Sequence, residues 1–214
     1  MTHLAPTRSL LRREEYKAIQ SVVLNGEVLD IGGVPDALYH THIKGSHHIV
    51  TANIDPTTGA DYTFDAQKPW PLPSESFNGV VCMNVLEHLY TPAPMLAEAR
   101  RVLSAEGKIV GTVPFLFHIH ASPDDYFRYT KSALTRLLSD AGFTHIQVKE
   151  LGTGAFAVLY HSLVGFMRWN WMASFFMMLC TGIDRLIYKI RPHNQMSAVE
   201  FPLGYIFEAS VPKK

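Results

Sequence analysis

The sequence is poor in cysteine and has no excess of either charge. Its 214 residues include only two cysteines, which excludes a disulfide-stapled miniprotein. Its 19 Lys and Arg residues balance 19 Asp and Glu residues. A nucleic-acid partner is therefore not predicted, because phosphate binding needs a cationic excess. Cys82 and Cys180 lie in apolar runs and are predicted to be reduced and packed.

Long unbroken apolar runs are also absent. The first twenty residues carry arginines and glutamates where a secretory signal would have its apolar core, so we expect a cytoplasmic protein. Arg168 and Asn170 divide the most apolar stretch, residues 154–190, into pieces shorter than the roughly 20 residues of a membrane-spanning helix. Two interpretations of this stretch stay open: a buried helical cap, or a face for peripheral contact with a membrane or a partner.

What the sequence does have is a regular alternation of strand and helix patterns. Apolar strand patterns occur at residues 28–31, 48–54, 79–84, 108–113, 145–149 and 204–209. Helical patterns cover residues 10–24, 94–103 and 131–141, and one more helix is expected between the first two strands. This alternation predicts an α/β fold with a doubly wound, mainly parallel Rossmann-like sheet, which the last strand joins near its edge.

Small and acidic residues follow the predicted strands. Gly32 and Gly33 come directly after the first strand, where they permit a sharp turn and a close backbone approach to a ligand. Asp55 follows the second strand, 25 positions beyond Asp30. This is close to the spacing at which an acidic side chain accepts hydrogen bonds from ribose hydroxyls. The two features together predict a nucleoside pocket.

Several blocks, in this order and spacing, resemble the class I S-adenosylmethionine-dependent methyltransferase family. They are residues 28–33, Asp55, residues 64–66 and residues 84–89 with the sequence Asn-Val-Leu-Glu-His-Leu. The resemblance covers about residues 26–151 and the last strand. It implies one methyltransferase-like domain over residues 1–214, with a reversed last strand and a hydrophobic helical cap or interfacial insertion at 152–198. It also implies S-adenosylmethionine as cofactor.

The resemblance also implies roles for individual residues. Asp55 would hold the ribose and Asp65 the adenine, and Asp30 with Gly32 would set the methionine moiety. The full implied cofactor-binding set is Asp30, Gly32, Gly33, Asp55, Asp65, Ala66, Asn84 and Val85. Val34 stands where the family has a second glycine, so Gly33 is expected to take over that backbone role, and Pro35 is expected to begin the next helix.

The loop after the strand at 108–113 supplies the catalytic candidates. His120 would act as a base, and Arg128 would bind a carboxylate or phosphate with its planar fork, in a polar cluster with Asp125. The alternative is that Asp125 and Arg128 only pair and cap the helix that follows. His88 is a further candidate, with bracing of its loop as the alternative role.

No metal site is predicted from the sequence. His118 and His120 with Asp124 or Asp125 could be imagined as ligands, but no thiolate is near and the loop has no second histidine pair. The function that the resemblance implies is methyl transfer to an oxygen, nitrogen or carbon of a small or lipid-like acceptor. A noncatalytic scaffold that docks through its apolar insertion is the alternative. A dehydrogenase is disfavoured because no Gly-x-Gly-x-x-Gly follows the first strand.

Overall fold

A computed structural model describes residues 9–190 and 197–213 of the protein. These residues are built around one seven-stranded sheet. The strands are β1 Gly26–Ile31, β2 His47–Asn53, β3 Tyr62–Thr63, β4 Phe77–Met83, β5 Leu103–Pro114, β6 Thr144–Leu151 and β7 Gly204–Ser210. Their order across the sheet is β3-β2-β1-β4-β5-β7-β6. β7 pairs antiparallel with β5 and β6, and the other pairings are parallel. The predicted doubly wound sheet with a reversed last strand is confirmed.

Helices cover both faces of the sheet. They are α1 Leu10–Ile19, α2 Pro92–Val102, α3 Lys131–Asp140, α4 Ala155–Leu163 and α5 Asn170–Ile190. Successive residues of a strand point to opposite faces, so Val80 and Cys82 of β4 pack with α2 and α3, whereas Val81 packs on the side of α1, α4 and α5. Both cysteines are buried free thiols, as predicted. The two hydrophobic cores therefore lie on either side of one sheet.

The connection between β1 and β2 corrects the prediction. It contains a short 3-10 helix, Leu38–His42, in place of an α-helix, and Pro35 lies in a turn before it. The Tyr39 hydroxyl and His40 Nε2 both hydrogen-bond to the Asp30 carboxylate, at 2.6 and 2.7 Å. These bonds hold the connection against the end of β1.

α4 and α5 form the apolar insertion between β6 and β7. Asp184 of α5 is buried and accepts hydrogen bonds from Thr153 Oγ1, Phe156 N and Ala157 N at 2.8 to 3.0 Å. It therefore satisfies amide groups at the start of α4 and fixes the two helices against each other. Residues 191–196 of the predicted insertion lie outside the described part of the chain. Among the helices described, none has the length and apolar character required to cross a membrane.

A buried histidine joins α1 to this insertion. The backbone N–H of Leu11 donates to His161 Nε2 at 3.0 Å, which requires a lone pair on that nitrogen. Burial lowers the pKa of His161 from 6.5 to about 4. Between these values the unfolded chain binds a proton that the folded protein does not bind, so acidification destabilises the fold in that window. We expect His161 to contribute a loss of about 2 kcal/mol in unfolding free energy from about pH 7 to about pH 5.

The test is urea unfolding across this pH range. His161→Gln keeps a hydrogen-bond acceptor but does not titrate, so its unfolding free energy should fall less on acidification than that of the wild type. Equal pH slopes for the two proteins would contradict the assignment.

Candidate functional site

The strand order indicates where on the sheet a ligand would bind. From β1 the chain moves to β2 and β3 on one side, and then to β4 and β5 on the other. Loops that leave the carboxyl ends of β1 and β4 therefore diverge and open a crevice, which is where ligands bind in sheets of this kind. The connections after β1, β2, β4 and β5 carry most of the residues predicted from the sequence, and Asp65 and Ala66 follow the short strand β3.

The turn after β1 depends on its two glycines. Gly32 has a φ of +78°, and a Cβ on Gly33 would lie 1.9 Å from Asp30 Oδ2. Asn53 Nδ2 donates to the carbonyl oxygens of both glycines at 3.0 Å, which ties the turn to β2. Val34 follows this turn and is partly exposed. Gly33 thus fills a position that a side chain cannot occupy.

Asp30 is fully buried beneath this turn. Its Oδ2 accepts the hydrogen bonds from Tyr39 and His40, while its Oδ1 has no hydrogen-bond partner among residues 9–190 and 197–213. Burial raises the pKa of Asp30, and the two hydrogen bonds oppose this effect. A buried acceptor without a partner is costly, so a donor supplied by a ligand would stabilise it.

A second unpartnered acceptor lies at the end of the neighbouring strand. Asn84 follows β4 with a φ of +54° and donates from Nδ2 to Glu15 Oε1 at 2.8 Å. Its own Oδ1 is buried and has no partner within the part of the chain that the structure describes. A Cβ on Gly32 would lie 2.8 Å from Val85 Cγ2, so the loop after β4 lies against the glycine turn. Asp30 and Asn84 therefore lie on either side of the contact between the glycine turn and the loop after β4.

The other two predicted carboxylates have different surroundings. Asp55 is exposed, and only its Oδ1 is used in the hydrogen bonds described, from the N–H and hydroxyl of Thr57. These bonds hold the pKa of Asp55 below its usual value. Asp65 is half-buried and accepts from Gln67 N at 2.9 Å, and the Ala66 carbonyl accepts from Trp70 Nε1. Each carboxylate has its own partners, and the ligand-binding role of each stays a prediction.

The loop after β5 contains the predicted polar cluster. Arg128 forms two hydrogen bonds with the Asp125 carboxylate, at 2.5 and 2.6 Å, and donates to the His118 carbonyl. These bonds hold the pKa of Asp125 well below its usual range. Asp125 and Arg128 therefore pair, as the alternative interpretation predicts. The prediction that they also cap the next helix is wrong, because the Thr130 hydroxyl caps α3. Arg128 is held by the loop, so binding of an acceptor anion by it stays a prediction.

His88 and His120 meet at a buried carboxylate that the sequence did not single out. His88 Nε2 lies 3.8 Å and His120 Nε2 lies 3.7 Å from Glu87 Oε1. The Glu87 carboxylate raises the pKa of His120. The backbone N–H of Tyr126 donates to the Glu87 carbonyl at 2.8 Å, which joins this loop to the loop after β5. The sequence signals for Glu87 were its place in the block at residues 84–89 and its adjacency to His88.

Comparison with known proteins gives a consistent picture. A family model described as a methyltransferase domain matches residues 39–111. No curated protein matches the chain. A Haemonchus contortus phosphoethanolamine N-methyltransferase 2 in complex with S-adenosyl-L-methionine is 15% identical, with a TM-score of 0.57 over 94% of this chain and 52% of that chain. This chain thus spans about half the length of that enzyme.

Two further solved structures match along most of both chains. An Archaeoglobus fulgidus S-adenosylmethionine-dependent methyltransferase is 15% identical, with a TM-score of 0.58 over 95% of this chain and 94% of that chain. A complex of the Haloferax volcanii Trm112 methyltransferase activator with a methyltransferase contains a chain that is 16% identical. Its TM-score is 0.60 over 97% of this chain and 91% of that chain. At these identities the structures establish the fold. This fold agrees with the methyltransferase-domain match over residues 39–111.

Proposed function

We propose that this protein transfers a methyl group from S-adenosylmethionine to a small, amphiphilic, lipid-like acceptor. The observation that carries the proposal is the pair of buried, unpartnered acceptor atoms, Asp30 Oδ1 and Asn84 Oδ1, on either side of the glycine turn. The cofactor carries an ammonium group with several N–H donors, which matches such acceptors. The Glu87–His88–His120 cluster lies in the loops that leave the same sheet edge.

The chain's own residues can be given roles in this proposal. Asp30 and Asn84 would bind the polar methionine end, with Gly32 and Gly33 keeping side chains away from it. Asp55 would hold the ribose with the carboxylate oxygen that Thr57 leaves free. The half-buried Asp65 and Ala66 would hold the adenine, and Val85 would line the path toward the acceptor.

Methyl transfer requires the protein mainly to position the acceptor and the cofactor. The bound cofactor supplies a methyl carbon that its positively charged sulfur already activates. The protein would contribute to the rate by aligning the acceptor atom with this carbon and by excluding water. An oxygen or nitrogen acceptor must also lose a proton. His120, next to Glu87, is the residue proposed to direct that step.

The acceptor class is tested with S-adenosylmethionine that carries a labelled methyl group. Purified protein is mixed with a cell extract, and the products are separated into lipid and aqueous fractions. We expect label in the lipid fraction with the wild type, and also with Asp140→Ala, which changes an exposed carboxylate on α3. Label confined to the aqueous fraction would contradict a lipid-like acceptor. No protein-dependent label in either fraction would contradict the proposed activity.

The apolar face of α5 supports contact with a membrane surface. Ala173, Met177 and Cys180 are buried on one side of the helix, whereas Trp171 and Phe175 are 69% and 58% exposed. Exposed aromatic residues of an amphipathic helix favour the boundary between lipid headgroups and acyl chains. We propose that α5 lies at this boundary, where an amphiphilic acceptor is found. No observation here favours the noncatalytic scaffold.

Flotation with lipid vesicles tests this surface. We expect the wild type to float with vesicles and the double variant Trp171→Ser, Phe175→Ser to remain in the soluble fraction, since each change removes exposed apolar area. Tyr62→Ser changes an exposed aromatic residue on the edge strand β3 and should leave flotation unchanged. Equal flotation of the double variant and the wild type would contradict a role for α5.

A further inference from the structure

Three side chains with metal-ligating atoms converge beside the proposed cofactor site. Glu87, His88 and His120 each offer one ligand atom, and all three atoms lie within 4.8 Å of one another. Glu87 and His88 belong to a 3-10 helix directly after β4, and His120 lies in the loop after β5. The cluster therefore joins the connections that leave two neighbouring strands of the sheet.

The carboxylate at the centre of this cluster is buried without a partner. The Glu87 side chain is 0% exposed, and neither of its oxygens has a hydrogen-bond partner within residues 9–190 and 197–213. A buried carboxylate without a hydrogen-bond partner is costly, so a cation or a donor beside it would stabilise it. The nearby guanidinium of Arg128 does not supply either directly, because two of its nitrogens are bonded to Asp125.

Both histidines are held by groups outside the cluster. His88 Nδ1 lies 2.5 Å from the Asp124 carbonyl oxygen, which can only accept, so Nδ1 carries the proton. In the neutral ring, Nε2 then directs its lone pair toward Glu87. His120 is held through its backbone N–H, which donates to Asp125 Oδ2 at 2.9 Å. Its Nδ1 lies 3.4 Å from that oxygen and has no hydrogen-bond partner within the described part of the chain. Metal-binding histidines characteristically have a carbonyl or carboxylate on the other ring nitrogen, as His88 does.

The distances within the cluster are compatible with ligands of one ion. The Glu87 Oε1 separations of 3.8 Å from His88 Nε2 and 3.7 Å from His120 Nε2 are too long for hydrogen bonds. Two ligands on one ion, each bonded at about 2.0 to 2.2 Å, lie roughly 3.3 to 3.8 Å apart. Gaps of this size leave room for a cation between the three ligand atoms.

We propose that Glu87, His88 and His120 bind one divalent metal ion of the zinc class. Two imidazoles and one carboxylate form a ligand set that leaves at least one coordination position open. The side chains of His88 and His120 are 14% and 32% exposed, so the open position faces the solvent side of the cluster. The sequence-based prediction of no metal site considered His118 and His120 with Asp124 or Asp125, and it did not consider Glu87 as a ligand.

A role for the ion rests on the proposed methyltransferase function. The open position would bind a hydroxyl oxygen of the acceptor and make its proton more acidic. That proton leaves to water as the oxygen–methyl bond forms and the sulfur–methyl bond breaks. His120 would then be a ligand and not a free base, and oxygen would be the atom that is methylated.

The test uses metal ions alone, on protein first treated with a chelator. Calorimetric titration with Zn²⁺ should show one strong site, and Co²⁺ should give visible absorption bands of an oxygen- and nitrogen-ligated ion. Glu87→Gln and His88→Ala should each weaken Zn²⁺ binding by about tenfold or more. The matched control is His48→Ala, since His48 pairs with Glu27 at the surface, where its side chain is 72% exposed. This variant should bind Zn²⁺ as the wild type does, and circular dichroism checks that each variant is folded.

The outcomes separate this inference from the proposed function. Failure to bind Zn²⁺ and Co²⁺, or equal binding by folded Glu87→Gln and the wild type, would overturn the metal site. Methyl transfer that persists in the metal-free protein would overturn the role of the ion and leave the proposed function with His120 as base. Metal binding in a protein that does not bind S-adenosylmethionine would support the site and contradict the function.

Discussion

Replacing Gly33 by alanine is expected to destabilise the fold and weaken cofactor binding together. The added Cβ would lie 1.9 Å from Asp30 Oδ2 and 2.3 Å from Asp30 Cγ, which are closer than any real contact. The carboxylate must then move away from Tyr39 and His40 inside a packed interior. Overpacking together with the loss of buried hydrogen bonds should lower the unfolding free energy by about 3 kcal/mol. Urea unfolding measures this change.

The matched control is Gly165→Ala. A Cβ on Gly165 would meet no atom within 4 Å, so its unfolding free energy should change by less than about 0.5 kcal/mol. If Gly33→Ala were as stable as this control, the described packing of the turn on Asp30 would be wrong. If it were unstable but bound S-adenosylmethionine normally, the turn would be structural only.

Asp55→Ala is expected to have the second large effect, on affinity rather than stability. Loss of hydrogen bonds from ribose hydroxyls to a charged carboxylate should weaken S-adenosylmethionine binding by about tenfold or more. The same change removes the cap of a three-residue 3-10 helix, which costs about 1 kcal/mol of stability. Equilibrium dialysis at a temperature where both proteins are folded separates the two effects.

Two comparisons decide this prediction. Asp140→Ala removes an exposed carboxylate that pairs only with Arg136 in the described contacts, and it should bind the cofactor normally. Unchanged affinity in Asp55→Ala would mean that the ribose does not reach the end of β2. The assigned order of residues along the crevice would then need revision.

The sheet could be predicted from the sequence because its signal is local. Each buried strand appears as a short apolar run, and alternating side chains such as Val80 and Val81 reach the two cores. Residues 204–209 were recognisable as a strand from the sequence. In the sheet this strand, β7, lies next to the edge strand β6. The failure at Pro35 has a tertiary cause, because hydrogen bonds from Tyr39 and His40 to Asp30 override the helical pattern.

The candidate site was predictable only in part. Its residues lie at strand ends, and those positions follow from the strand pattern alone. Pairing within the loop after β5 was foreseen for Asp125 and Arg128, because they are three residues apart. The central position of Glu87 was not foreseeable, since its burial and its distances to two histidines depend on how separate loops fold together.

Calorimetric titration of the wild-type protein with S-adenosylmethionine tests the central claim most directly. We expect saturable heat with one binding site per chain, and competition by S-adenosylhomocysteine for that same site. Absence of binding by the folded protein would contradict the claim that the edge between β1 and β4 holds this cofactor.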